Sequence, residues 1–84
     1  MNKLNVVEYL DKYPITERER DLLEYVTRFK EVNGYAPTIK EIQIGINTKS
    51  SYHIGVMLED LKDKGYITYK PNKARTIRIL KFIK

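Results

Sequence analysis

At 84 residues with no cysteine, the chain suits one small domain and excludes disulfides, thiolate metal sites and cysteine nucleophiles. Its uninterrupted apolar runs are too short for a membrane span or a signal peptide, so a cytoplasmic protein is expected. The formal net charge is +5, and its placement is uneven: from Tyr66 onward come Lys70, Lys73, Arg75, Arg78, Lys81 and Lys84 with no acid among them, which points to a polyanionic partner.

In chain order, residues 2–13 place Leu4, Val7 and Leu10 on one helical face. They predict a short N-terminal helix ended by Pro14, whose ring disfavours helix in the residue before it. That helix is too short to stand alone and must pack on the domain or on a partner. Thr16 to Glu19 has the spacing of a capping box, with Ile15 as the outer half of a hydrophobic staple. The helix it starts is predicted to run to about Asn33, burying Leu22, Val26 and Phe29, widened by Leu23, Tyr25 and Val32, and to end at Gly34.

Tyr35-Ala36-Pro37 reads as an extended connector, and Thr38 to Glu41 as a second capping box. A short helix follows over about 39–46, with Ile39, Ile42 and Ile46 inward. Asn47 can adopt the left-handed turn conformation. Ser50 is the expected N-cap of a third helix, 51–64, closed by Gly65. Ile54, Met57, Leu58 and Leu61 give that helix a buried stripe. Its first turns show Ser51, Tyr52, Gly55 and Val56, which no core requires. Two helices joined by so short a turn form a helix-turn-helix.

Past Gly65 the periodicity changes to two. Residues 66–70 and 75–79 alternate around a turn at 71–74, predicting a hairpin with Ile77 and Ile79 inside. The fold class is therefore α+β, mainly α: a winged helix-turn-helix with a three-helix core, a β-hairpin wing and an extra short N-terminal helix. The expected division is an extension over 1–14 and a DNA-binding domain over 15–84.

The segments ITERERDLLEYV, NGYAPTIKEI, KSS, LEDLKDKGYI and RTIRIL, in this order and spacing, resemble the N-terminal DNA-binding domain of LexA-family repressors from Ile15 to Leu80. The resemblance implies that the helix after Lys49 lies in the major groove and that the hairpin touches the DNA backbone. Carried over by position, the family's contact positions fall on Ser50, Ser51, Tyr52, His53, Gly55 and Val56, and its wing on Lys70 to Arg75. Several residues depart from the family pattern. Tyr52, His53, Gly55 and Val56 are not the family's usual side chains, so its operator is not carried over. Gln43 replaces a small apolar residue, Gly45 weakens the second helix, and Asn47 replaces a turn glycine. Family members continue into a self-cleaving serine peptidase domain that also dimerises. The sequence stops at Lys84, so autocleavage is not expected, and residues 1–13 with the tail Leu80, Phe82 and Ile83 are the expected homodimer contacts.

Enzymatic chemistry finds little support. His53 is the sole histidine, which leaves no histidine relay or multi-histidine metal site within one chain. The carboxylates of the first and third helices read as solvated faces and capping partners. The glycines form no phosphate-binding fingerprint, and no cofactor is implied. Lys49 at the turn is a phosphate-contact candidate. Arg75, near the wing tip, is the better DNA candidate of the two wing arginines, and Arg78 is placed to pair with an acid on the first helix. The reading is a sequence-specific regulator of double-stranded DNA, a repressor rather than an activator, of bacterial or phage origin. The rival is a winged helix that binds another regulator instead of DNA.

Overall fold

Helix α1 (Glu17–Asn33) starts where reciprocal capping satisfies two otherwise orphaned backbone donors. Thr16 Oγ1 accepts from the Glu19 N–H at 3.1 Å, and Glu19 Oε1 accepts from the Thr16 N–H at 3.0 Å. It ends at Gly34, whose φ of 84° is left-handed and whose N–H donates to the Lys30 carbonyl. Helix α2 (Ile39–Gly45) repeats the box with Thr38 and Glu41. Asn47 takes the turn with φ 57°, and α3 (Ser51–Asp63) begins under Ser50, whose hydroxyl accepts from the His53 N–H at 3.2 Å. The computed structural model describes residues 15–81. The expected N-terminal helix and the tail residues Phe82 and Ile83 lie outside them.

Strands β1 (Ile67–Thr68) and β2 (Arg78–Ile79) pair antiparallel, Ile67 opposite Ile79 and Thr68 opposite Arg78. The strands are shorter than the alternation at 66–70 and 75–79 predicts. Asn72 and Arg75 both have positive φ, 62° and 61°, so the chain leaves the pleat on either side of the tip. A side chain closes the wing instead: Thr76 Oγ1 accepts from the Lys70 N–H at 2.9 Å and donates to the Lys73 carbonyl at 3.1 Å.

The core joins Leu22, Leu23 and Val26 of α1 to Ile42 and Ile46 around α2, Ile54, Leu58 and Leu61 of α3, and Ile67 and Ile77 at the base of the wing. Two expected core residues are exposed. Val32 is 77% exposed, because the last turn of α1 runs past the core, and Ile39 is 43% exposed at the free start of α2. Phe29, expected on the buried stripe, is half-buried and packs in an aromatic row, its ring centroid 5.9 Å from both Tyr25 and Tyr35.

Gly45, which by propensity alone weakens α2, has a packing reason. A Cβ built there would lie 2.1 Å from Cε1 of Tyr25. Gly45→Ala should therefore destabilise the fold by ~1–3 kcal/mol through overpacking, although alanine gains about 1 kcal/mol in helix propensity. In a Tyr25→Ala background the same change should become stabilising. Chemical denaturation of the four proteins checks this, and a sign that does not change refutes the contact.

Candidate nucleic-acid interface

The core-facing stripe of α3 (Ile54, Leu58, Leu61) is almost fully buried, which turns the opposite side outward. Ser51, Tyr52 and His53 are exposed on the first turn, and Val56 follows one turn later. Tyr52 and Val56 are 77% and 47% exposed. Gly55 sits between them in open space, since a Cβ there would meet nothing within 4 Å. Ser50 is half-buried and has a structural duty as the cap of α3. Lys49 is exposed in the turn just before it.

Three links hold α3 at its angle. Arg18 donates from Nη2 to the Ile46 carbonyl at 2.8 Å while its Nη1 reaches Asp21 at 3.3 Å, tying α1 to the turn before α3. At the far end, Lys64 Nζ lies 3.0 Å from Glu19 and 2.9 Å from Asp60. The hydrogen bond Asp60 shares with Glu19, and the one from Lys64, hold its carboxyl below the usual 3.8. Burial works against the charge on Lys64, but the hydrogen bonds it donates to both carboxylates outweigh it and raise its amine above 10.5. Third, the Tyr69 hydroxyl donates to Glu59, with Lys62 over the Tyr69 ring at 5.4 Å. Burial, reinforced by Glu59, pushes the Tyr69 hydroxyl up to about 12, so this link from β1 to α3 keeps its proton at physiological pH.

The wing departs from expectation in the roles of its two arginines. Arg75 does not point freely from the tip. Its guanidinium forks onto Glu41, both arms at 3.0 Å, and also donates to the Ala36 carbonyl at 3.0 Å. It lies 4.7 Å from the centroid of Tyr35. That fork and the backbone donor of Thr38 hold the Glu41 carboxyl below 4.5. The left-handed backbone at Arg75 reorients its side chain, so strand parity assigns the wrong direction. Arg78, expected to pair with an acid on α1, makes no ion pair among the described residues and is exposed. Lys70 and Lys73 are exposed, and they line a cleft between the wing and the start of α2, together with Leu58 of α3. Lys40 lines the same cleft. Sequence reading passed over Lys40; its only signal is a cation two residues after the Thr38 cap.

Among the described residues no group of three or more histidine, cysteine or acidic residues could hold a metal ion, and no helix is long and apolar enough to cross a membrane. Three helices, a short turn before the third, and an acid-free wing packed near the later turns of that helix define a winged helix-turn-helix domain of the DNA-binding class. The chain belongs to the LexA DNA-binding domain family, whose model matches residues 12–76. It is 38% identical over 69 residues to the LexA repressor of Desulfitobacterium hafniense, covering 81% of this chain and 34% of that protein. It is also 33% identical over 67 residues to the transcription regulator LexA of a Synechocystis species (80% of this chain, 33% of that protein). The LexA repressor of Corynebacterium diphtheriae is 34% identical over 65 residues, 77% and 27% of the two chains. The chain thus spans about a third of the length of these curated relatives.

Proposed function

We propose that this chain is a transcriptional repressor that binds double-stranded DNA sequence-specifically, placing the first two turns of α3 in the major groove and the wing on the phosphate backbone. The observation that carries the reading is the free, neutral face of α3 beside a wing with no acid, in a member of this family. In this reading Ser51, Tyr52, His53, Gly55 and Val56 face base edges, Ser50 caps the helix and offers its hydroxyl proton, and Lys49, Lys70, Lys73 and Lys40 meet phosphates. Arg75 acts as the strut that sets the wing angle, and Arg78, without an ion pair among the described residues, is the arginine of the wing open to a phosphate.

The test is duplex binding against salt. With about four or five phosphates neutralised, log affinity should fall with log salt at a slope of about −4. Lys70→Ala with Lys73→Ala should weaken all duplexes alike and flatten that slope by about one to two units. An unchanged slope removes the wing from the interface. If no salt-dependent duplex binding is found at all, the surface belongs to a protein partner.

A single winged helix covers a half-site, and regulators gain affinity by pairing two. Homodimerisation through residues 1–13 and the C-terminal tail is the second part of the proposal. The spacing of Leu4, Val7 and Leu10 and the 59% exposure of Leu80 support it. Deleting residues 1–13 should yield a folded monomer that keeps half-site binding and loses cooperativity on paired half-sites. Light scattering that finds the 84-residue chain monomeric at tens of micromolar, where a dimer of ~1 μM affinity would be formed, refutes it.

A further inference from the structure

The exposed line of α3 has an unusual chemistry for a groove-reading helix. At 100° per residue, Tyr52 and Val56 stand one turn apart, directly opposite the buried stripe of Ile54, Leu58 and Leu61. Both are apolar or largely so, and both are exposed, at 77% and 47%. The first turn carries no acid. Arginine, lysine, asparagine, glutamine and acids, the side chains that read guanine, adenine or cytosine by bidentate or charged hydrogen bonds, are all missing from residues 50–58. That leaves Ser51 and His53 as the exposed hydrogen-bonding groups beside this line. Further along the same face stand Glu59, occupied by Tyr69, and Asp63; their charge would repel phosphates, so only the first two turns suit the groove. Among the described residues Gly55 lies beside this line in open space, at a helical position where glycine is less favourable than alanine. Nothing among the described residues requires it, but a partner surface approaching the helix backbone would.

We propose that α3 reads its site chiefly through thymine C5-methyl groups, with Val56 and the Tyr52 ring packed against them and Gly55 allowing the helix to sit deep. The chemistry that fits is apolar contact in the major groove, where the thymine methyl is the apolar group exposed on an unmodified base edge. The flanking charge fits a nucleic acid rather than an apolar protein surface, because Lys49 precedes the helix and Lys70 and Lys73 stand on the wing. This inference rests on the DNA-binding reading above and specifies what the helix reads.

The experiment uses the 84-residue chain and duplexes selected from a random library. Each thymine of the selected half-site is replaced in turn by deoxyuridine, which removes one methyl and leaves every hydrogen-bonding group in place. At one or more thymines the affinity should fall about three- to five-fold, the equivalent of one buried methyl. Val56→Ala or Tyr52→Ala should then abolish the uracil penalty at one thymine while leaving the salt slope unchanged. Both positions are solvent-facing, so the variants keep the fold, and circular dichroism confirms it. Uracil substitution without effect anywhere, or a penalty that survives both variants, overturns the methyl reading while salt-dependent binding leaves the DNA-binding proposal standing. Selection that returns bound duplexes without sequence preference overturns the methyl reading and the sequence-specific part of the proposed function, and leaves only salt-dependent DNA binding standing. Failure to bind any duplex overturns both.

Discussion

Replacing Lys64 with methionine is expected to remove about 3–5 kcal/mol of stability, the usual cost of leaving one partner of a buried ion pair alone. Lys64 and Glu19 side chains are only 14% and 4% exposed, so water cannot replace the lost cation. Glu19 would keep the Thr16 N–H as a partner but would stand beside Asp60 without the ammonium between them. A chain of this size has a total stability on the order of 4–13 kcal/mol, so the variant should be close to unfolding at 37 °C. Converting Glu19 to Gln in the same protein should recover much of the loss, because the charge that needed compensation is gone.

The pH dependence follows from the directions of the shifts. Asp60 has a folded value below its usual 3.8, so its contribution is complete above about 3.8 and is lost as pH falls through the lower folded value. Lys64 has a folded value above 10.5, so its contribution is complete below that and is lost as pH rises through the raised value. The stability gap between wild type and Lys64→Met should be flat between about pH 5 and 10 and should close in acid. Urea titrations at pH 3, 5 and 7 measure it. A gap below ~1 kcal/mol at pH 7 would show that the pair does not hold α1 to α3.

Leu58→Ala should cost about 2–5 kcal/mol, the range for truncating a buried leucine. Leu58 is 1% exposed and has two duties. It belongs to the common core of the three helices, and it walls the cleft under the wing with Pro37, Tyr69 and Ile77. The cavity therefore lies where α3, the start of α2 and the wing meet. Hydrogen exchange at Ile67 and Ile79, the paired residues of the wing, should accelerate along with global unfolding. The control is Val56→Ala on the opposite side of the same helix, where an exposed truncation should stay within ~0.5 kcal/mol. Similar losses at both positions would mean that α3 is turned differently from its described face.

Lys64 and Leu58 also mark the difference between what could and could not be read from the chain. Capping boxes at Thr16 and Thr38, the Ser50 cap, the left-handed Gly34, Asn47 and Gly65, and the apolar stripe of α3 are all local. Each depends on residues three or four apart, and each was legible as written. The Glu19–Lys64 pair joins residues 45 apart, Arg18 and Ile46 are 28 apart, and Arg75 and Glu41 are 34 apart. No periodicity carries such information. Gly45 illustrates the same point: in a helix it reads as a weakness, and only the tertiary structure shows the Tyr25 ring occupying the space a Cβ would need.

By itself the sequence determined the order of the described elements, the ends of the helices to within a residue, the neutral first turns of α3 and the basic excess after Gly65, because these are short-range properties of backbone, caps and charge. The tertiary structure alone decided that Arg75 pairs with Glu41 and that Arg78 makes no ion pair among the described residues, since the positive φ at Arg75 turns its side chain onto Glu41 and Tyr35. It also decided that Val32 and Ile39 stay outside the core and that Lys40 joins the wing lysines. An apolar residue is buried only where another element arrives to cover it, and that arrival is set by the packing of the whole domain.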